Sequence, residues 1–225
     1  MIIDIGIILI LIMFTIVGLK QGIIKAGISL IGLIVIYVIS FSLKGVIGNI
    51  LCKYLPFFDL EGSFHGLTSL NILIYQLIGF ILVFAILLSV YMIILKLAKA
   101  LDLAAKLTIV LIIPLKLLGG LLGLIEGYII VFICLVLLMI PLHNIDMFTS
   151  SKMVNHIVYD TPLLTKYISP VTDTLKEAYQ LGEDINNGKI TNKKANKKIL
   201  DIMIKNKIVS KDLVDELIKS SKLKM

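Results

Sequence analysis

Few side chains in this sequence could do chemistry, and the first of them is a glutamate inside an apolar stretch. Glu126 lies in LKLLGGLLGLIEG (115–127), where Lys116 is the only other charged residue. A charged residue at the centre of a membrane helix costs about 2.5–3.5 kcal/mol on insertion scales, so it is a functional candidate by default. Asp4 and Gln76 are the other candidate intramembrane polar residues. Glu126 is either a proton or cation site, or a hydrogen-bonded structural acid tied to Lys116, Gln76 or a backbone carbonyl.

Histidine, cysteine and serine give no catalytic or metal-binding pattern. A zinc site needs three or four ligands held together, and the spacing of the three histidines (His65, His143 and His156) does not supply them. Cys52 and Cys134 are too few for a disulfide scaffold and lack metal-ligand spacing. No GxSxG, HExxH, P-loop or GxGxxG motif occurs. The sequence therefore predicts no catalytic residue, no metal, no cofactor and a protein that is not an enzyme.

Glycines recur along the same apolar stretch as Glu126. They share or adjoin one helix face: Gly119, Gly120, Gly123 and Gly127. Small residues at this spacing let two helix backbones approach closely in lipid. They predict a helix-packing face, whose partner is either in the same chain or in another subunit. Gly18 and Gly22 repeat the spacing, although turn formation explains these two nearly as well.

The elements that must position these residues are membrane helices. Of the 225 residues, 58% are hydrophobic and 16% are charged, and the mean hydropathy is +1.02. Soluble domains are usually about 45–50% apolar and about 25% charged. The net charge of +7 comes entirely from the tail, because residues 189–225 hold 11 lysines and 4 acids whereas residues 1–188 hold 11 of each. The composition therefore indicates a membrane protein with a basic C-terminal end.

The sequence predicts an all-α, polytopic membrane protein with four transmembrane helices and a small C-terminal helical appendage. A spanning helix needs about 20 apolar residues, and residues 1–142 contain four such stretches, at about 2–19, 26–43, 72–95 and 117–142. The tight KQG turn (20–22) makes the first two an antiparallel hairpin. Residues 44–65 are expected to form an external loop with a short interfacial piece. Residues 96–116 are expected to be either interfacial or re-entrant.

Lysines in short loops set the orientation. Lys20 and Lys25 follow the first stretch, and four lysines against Asp102 follow the third: Lys96, Lys99, Lys106 and Lys116. These loops are therefore predicted to be cytoplasmic, which places both termini outside the plasma membrane. Long segments are translocated largely regardless of charge, so the basic tail does not alter this prediction.

Residues 143–225 read as a soluble, lysine-rich helical region. One helix is predicted between Pro170 and Gly188, followed by two short helices that are weakly repeated, with Ser210 as an N-cap. The expected apolar positions of these helices are Ala195, Ile199, Ile202, Met203, Leu213, Val214, Leu217 and Ile218. The lysines form either a solvated surface or a contact with anionic lipid or cell-wall polymer. Nucleic acid is not an expected partner of an external tail.

Three segments together resemble the colicin V production protein (CvpA) family of bacterial inner-membrane proteins. They are Asp4 inside the first apolar run, the turn GLKQG (18–22), and PLKLLGGLLGLIEGYIIVF (114–132). The resemblance covers about 1–142 and implies four spans and a role in colicin or toxin production or export, or in envelope homeostasis. Some family members carry an extracytoplasmic protease domain after the fourth span, which agrees with an external C-terminus.

The sequence thus leads to two hypotheses of different class. The first is a non-enzymatic accessory or scaffold factor in the lipid bilayer, acting with a membrane-protein partner or as a homo-oligomer. The alternative is a transporter or ion-coupled channel subunit that uses Glu126. Glu126→Gln separates the two, because only the second needs that carboxylate.

Overall fold

The computed structural model describes residues 2–101, 112–142, 146–161 and 164–223. These ranges are 83% helical and contain no strand. The α-helices, in chain order, are α1 Ile2–Tyr54, α2 Leu70–Leu101, α3 Ile112–Leu138, α4 Asp146–Thr149, α5 Lys152–Asp160, α6 Leu164–Asn186, α7 Asn192–Lys205 and α8 Lys211–Lys219. A 3₁₀ turn, Gly62–Phe64, lies between α1 and α2. The predicted all-α class is confirmed.

Three of these helices are long and apolar enough to cross a membrane. They span Ile2–Tyr54, Leu70–Lys96 and Leu115–Leu138. Many of their large apolar side chains are exposed, as lipid contact requires. At about 1.5 Å per residue, the 53 residues of α1 would extend well beyond a hydrocarbon core about 30 Å thick. A straight α1 therefore does not fit a single crossing.

The first half of α1 runs antiparallel to α3. Phe14 lies against Gly127, and Gly22 lies against Gly119. Residue numbers therefore rise along α1 while they fall along α3. The first half of α1 and α3 are therefore antiparallel neighbours up to Gly22.

The second half of α1 runs parallel to α3. Gly27 lies against Leu122, and Ser29 is hydrogen-bonded to Glu126. The chain must therefore reverse direction within α1, and Gly22 is the residue that leaves helical geometry, at φ 73° and ψ 172°. Glycine adopts this left-handed region without the Cβ clash of other residues. The reversal is the antiparallel hairpin that the sequence predicted.

The helix ends differ from their predicted positions. The second half of α1 continues to Tyr54 instead of ending near 43, so residues 44–54 are helical and not loop. The third predicted span begins slightly earlier, at Leu70. α3 ends at Leu138, before Pro141, whose ring would clash with the preceding turn. Of the predicted interfacial or re-entrant segment, 96–116, residues 96–101 continue α2 and residues 112–116 begin α3, whereas 102–111 lie outside the described residues.

The chain forms two compact units. The first consists of Met1–Ser40 with Phe84–Val158, and the second of Phe41–Val83 with Tyr159–Met225. The sequence suggested a boundary near residue 142 instead. Residues 41–83 belong with the tail because helix ends and the intervening loop are hydrogen-bonded to tail residues such as Asn196 and Lys222.

The C-terminal helices begin and end with defined caps. Ser210 accepts a hydrogen bond from the backbone amide of Leu213, which confirms the predicted N-cap, and Thr191 caps α7 in the same way. Three helices end in a residue with positive φ: Gly188, Lys207 and Ser221. The amide of each following residue bonds a carbonyl five positions earlier, as in Schellman motifs.

The interior of the C-terminal region follows the predicted apolar positions closely. Ala195, Ile199 and Met203 are buried in α7, and Leu213, Val214 and Leu217 are buried in α8, while Ile202 and Ile218 are half-buried. One boundary differs. α6 begins at Leu164 instead of near Pro170, so the proline lies inside the helix, where it has no amide to bond the carbonyl four residues earlier.

Candidate functional site

Glu126 lies in the middle of α3 and is half-buried in the first compact unit. The hydroxyl of Ser29 donates a hydrogen bond of 2.7 Å to its Oε1 atom. Hydrogen bonds to a carboxylate are shorter and stronger than those between neutral groups. The partner is therefore a residue of the second apolar stretch, where the sequence had suggested Lys116, Gln76 or a backbone carbonyl.

A cavity of about 150 Å³ lies beside this pair. Its polar lining residues are Ser29, Tyr91 and Glu126, and its other walls are apolar side chains and Cys134. The hydroxyl of Tyr91 donates a 3.2 Å hydrogen bond to the carbonyl of Ile28. The cavity therefore places one carboxylate among mostly apolar groups, within a single compact unit.

Tyr91 is positioned by a glycine. A Cβ atom added at Gly32 would lie 2.6 Å from the Tyr91 ring, which is closer than real contacts allow. Gly32 therefore leaves the space into which the ring packs. The sequence gave no spacing rule that links Tyr91 or Ser29 to Glu126, because the three residues come from three separate helical segments.

The predicted packing glycines lie at the crossing of α1 and α3. A Cβ atom added at Gly119 would lie 2.5 Å from the carbonyl oxygen of Gly18 and 2.8 Å from the Cα of Gly22. At Gly123 it would meet the carbonyl of Phe14, and at Gly127 it would lie 2.7 Å from the Cβ of Phe14. Backbone contact this close is possible only for glycine. The partner of the α3 face is thus in the same chain.

Gly120 also packs in this crossing, against a side chain instead of backbone. A Cβ atom there would lie 2.7 Å from Cδ2 of Leu19. Leucine can move more easily than a carbonyl, so Gly120 is the less demanding position. Gly120 therefore differs from Gly119 and Gly123, which face backbone atoms of α1.

Asp4 joins the beginning of α1 to the beginning of α5. Its Oδ1 atom accepts a 2.6 Å hydrogen bond from the Ser151 hydroxyl and a longer one, 3.4 Å, from the amide of Met153. Ser151 in turn accepts from the amide of Val154. An acid beside the first amides of a helix is stabilised by those unpaired donors. Asp4 therefore has a structural role, because it connects the first turn of α1 to the first turn of α5.

Gln76 lies in the second compact unit and is almost completely buried. Its Nε2 atom donates a 2.8 Å hydrogen bond to Oδ1 of Asn49. Gly48 and Gly79 leave space there, because a Cβ atom at Gly79 would lie 2.8 Å from the Gly48 nitrogen. Gln76 therefore belongs to a second glycine-lined helix contact, and Glu126 and Gln76 belong to different units.

The remaining candidates stay apart from one another. Cys52 is buried, whereas Cys134 is an exposed thiol on the wall of the cavity. His65 and His156 are exposed, and His143 lies outside the described residues. In the described ranges, no three histidine, cysteine or acidic residues are grouped as a metal site would require.

Two tail residues that the sequence did not single out hold the C-terminal helices to α2 and α1. Oδ1 of Asn196 accepts a 2.8 Å bond from the amide of Ser69, and its Nδ2 atom donates to the carbonyl of Gly66 at 2.7 Å. Nζ of Lys222 donates to the carbonyls of Cys52, Lys53 and Leu55. A cation at a helix C-terminus satisfies carbonyls that have no helical partner.

Comparison with known proteins identifies the family on the segment that contains this site. The family model described as Colicin V production protein matches residues 3–162. The chain belongs to the colicin V production protein family. No curated protein and no solved structure gave a significant match. The CvpA match includes the glycine crossing, the Glu126 cavity and the Asp4 contact, whereas α6, α7 and α8 lie outside it.

Proposed function

We propose that this CvpA protein is a non-enzymatic scaffold or accessory factor for toxin production or export and for envelope homeostasis. The attachment of the tail carries the proposal. Asn196 and Lys222 hold α7 and α8 against the ends of α2 and α1, which are long apolar helices. A folded surface fixed to membrane helices is suited to holding a partner protein at the membrane.

The proposal includes four crossings of the plasma membrane with both termini outside. The antiparallel halves of α1 count as two crossings, and α2 and α3 as two more. The contact between Asp4 and Ser151 supports an even number, because it joins the beginning of the first helix to the segment after α3. The outer side follows from the lysines at the turn within α1, Lys20 and Lys25, and from those of the segment between α2 and α3.

The lysines of α7 supply the proposed contact surface. Lys193, Lys194, Lys197 and Lys198 are exposed, whereas Asn196 and Ile199 on the same helix are buried. A basic face of this kind attracts anionic lipid headgroups or wall polymer, at about 1 kcal/mol per lysine near a charged surface. The scaffold would thereby bind both its protein partner and the envelope.

Complementation of a deletion strain tests the scaffold against the transporter alternative. The double variant Asn196→Leu with Lys222→Ala detaches the tail, and Glu126→Gln removes the only intramembrane acid of α3. Toxin release and sensitivity to envelope stress are measured at equal amounts of membrane-inserted protein. The scaffold predicts that the Glu126 variant complements fully and the double variant fails. The reverse result would establish dependence on the intramembrane acid and exclude the scaffold.

A further inference from the structure

The cavity beside Glu126 combines three features that define a ligand class. Its walls are apolar, it contains one carboxylate, and two aromatic rings, Phe84 and Tyr91, lie among its lining residues. We infer that it is a binding site for a small organic ammonium ion with an apolar body. This inference does not depend on the scaffold proposal.

Charge determines the first part of the assignment. An ionised carboxylate away from water is stable only when it is paired or strongly hydrogen-bonded. Ser29 supplies one hydrogen bond, to Oε1, and none of the described residues that line the cavity is basic. An ammonium group in the cavity would supply the missing positive charge and donate hydrogen bonds to the carboxylate.

The walls determine the second part. Apolar surfaces such as those of Leu33, Leu88 and Ile130 offer nothing to the hydration shell of a metal ion, whereas they favour the hydrocarbon portion of an organic cation. The two aromatic rings can attract an ammonium group through their faces. The site therefore favours an organic cation over an inorganic one.

The volume determines the third part. An engineered protein cavity of about 150 Å³ is large enough to hold benzene, and the cavity here has about the same volume. A phenyl ring with a one-carbon ammonium arm is thus close to the largest body that fits without rearrangement. Benzylammonium is a suitable probe, and ethylbenzene is its uncharged isostere.

Binding to the full-length chain in nanodiscs of neutral lipid tests the inference. Isotopically labelled benzylammonium is measured by equilibrium dialysis, with empty nanodiscs subtracted and ethylbenzene as competitor. The wild type is expected to bind the amine in preference to its uncharged isostere. Glu126→Gln is expected to weaken amine binding by about tenfold or more, because it removes the charge and keeps the shape.

Two further variants test whether binding needs the space of the cavity and whether it needs the Glu126 carboxylate in particular. Leu88→Phe fills the cavity and is expected to abolish binding while Glu126 is retained. Asp4→Asn removes an acid that contacts Ser151 outside the cavity, and it is expected to leave binding unchanged. Equal binding by the wild type and Glu126→Gln, equal competition by ethylbenzene, or no binding above empty nanodiscs would each overturn the inference. None of these readouts depends on toxin release, so this inference and the scaffold proposal fail separately.

Discussion

The hydroxyl of Ser29 donates a 2.7 Å hydrogen bond to the carboxylate of Glu126, although the two residues are 97 positions apart in the chain. The bond links the second half of α1 to α3. Together with Gly27 and Leu122, it shows that these two helical segments run in the same direction. This polar contact thus gives the acid of an apolar helix one hydrogen bond, and it also shows that α1 reverses direction.

Ser29→Ala is expected to destabilise the protein. The substitution leaves the Glu126 carboxylate without its hydroxyl donor, and an unsatisfied buried polar group costs about 1–3 kcal/mol, more if it is charged. Thermal unfolding of the purified chain in detergent should therefore begin at a lower temperature. Ser40→Ala is the matched control, because the partner of the Ser40 hydroxyl among the described residues is the carbonyl of Ile36 in its own helix. Equal unfolding temperatures for the two variants would contradict the assigned role of the bond.

The contrast between these serines shows what the sequence could and could not predict. Runs of apolar residues determine where membrane helices lie, so the fold class, the hairpin turn and the packing glycines followed from local pattern. The partner of Glu126 did not, because Ser29 is one of several serines in apolar stretches and only the folded chain selects it. The partners of Asn196 and Lys222 were not predictable either. Both side chains bond backbone groups, and every residue type has these groups, so the sequence does not indicate which ones are bonded.

Helix ends were the least predictable feature. Lys44 and Lys53 suggested that residues 44–54 leave the membrane and therefore leave the helix. The structure keeps them helical to Tyr54, because Gly48 packs against Gly79 and Lys222 caps the last carbonyls. Charge predicts the edge of the hydrocarbon, whereas tertiary contacts determine where a helix ends.

Gly119→Ala is expected to disrupt the crossing of α1 and α3. The added methyl group would lie 2.5 Å from the Gly18 carbonyl oxygen, and the clash is relieved only if the two helix backbones move apart. The variant should unfold in detergent at a lower temperature than the wild type, or fail to accumulate in the membrane. Overpacking of this kind costs about 1–3 kcal/mol, occasionally more.

Gly6→Ala is the control for this substitution. Nothing lies within 4 Å of a Cβ atom at Gly6, and alanine is the better helix former by about 1 kcal/mol in aqueous hosts. Its stability is therefore expected to equal or exceed that of the wild type. An equal loss of stability in both glycine variants would contradict the assigned close packing, because a methyl group at Gly6 has no neighbour to clash with.

Lys222→Ala is expected to loosen the C-terminal end. It removes a charged donor from the carbonyls of Cys52 and Leu55, and hydrogen bonds to charged groups contribute about 1.5–3 kcal/mol. Limited proteolysis in nanodiscs should then cleave near α8 faster than in the wild type. Lys219→Ala, which changes an exposed lysine at the end of α8, should be cleaved at the wild-type rate. Identical cleavage of both variants would show that Lys222 does not restrain the tail.

The basic face of α7 is expected to enrich anionic lipid. Replacement of its four exposed lysines by glutamine removes charge and keeps the buried face intact. The wild type in mixed nanodiscs should retain more phosphatidylglycerol than this variant on purification, and the difference should shrink at high salt because exposed charges are screened. Four exposed lysines outside this face, Lys205, Lys207, Lys211 and Lys219, serve as the control for total charge. An equal loss of lipid in both sets would indicate net charge and not the α7 face.

Cysteine accessibility in intact cells is expected to place the tail outside and the α1 turn inside. In a Cys52→Ser, Cys134→Ser background, an impermeant reagent should label Lys197→Cys, whereas Lys20→Cys should react only after the cells are permeabilised. Lys197 and Lys20 are both exposed. The neighbouring Asn196 is unsuitable as a labelling position, because its side chain is buried and bonded to the amide of Ser69. The opposite pattern would place the tail in the cytoplasm. Labelling of both without permeabilisation would place the α1 turn and the tail on the same side of the membrane. The number of crossings would then be odd, which contradicts the Asp4–Ser151 contact, because that contact requires both ends of the membrane region to lie on one side.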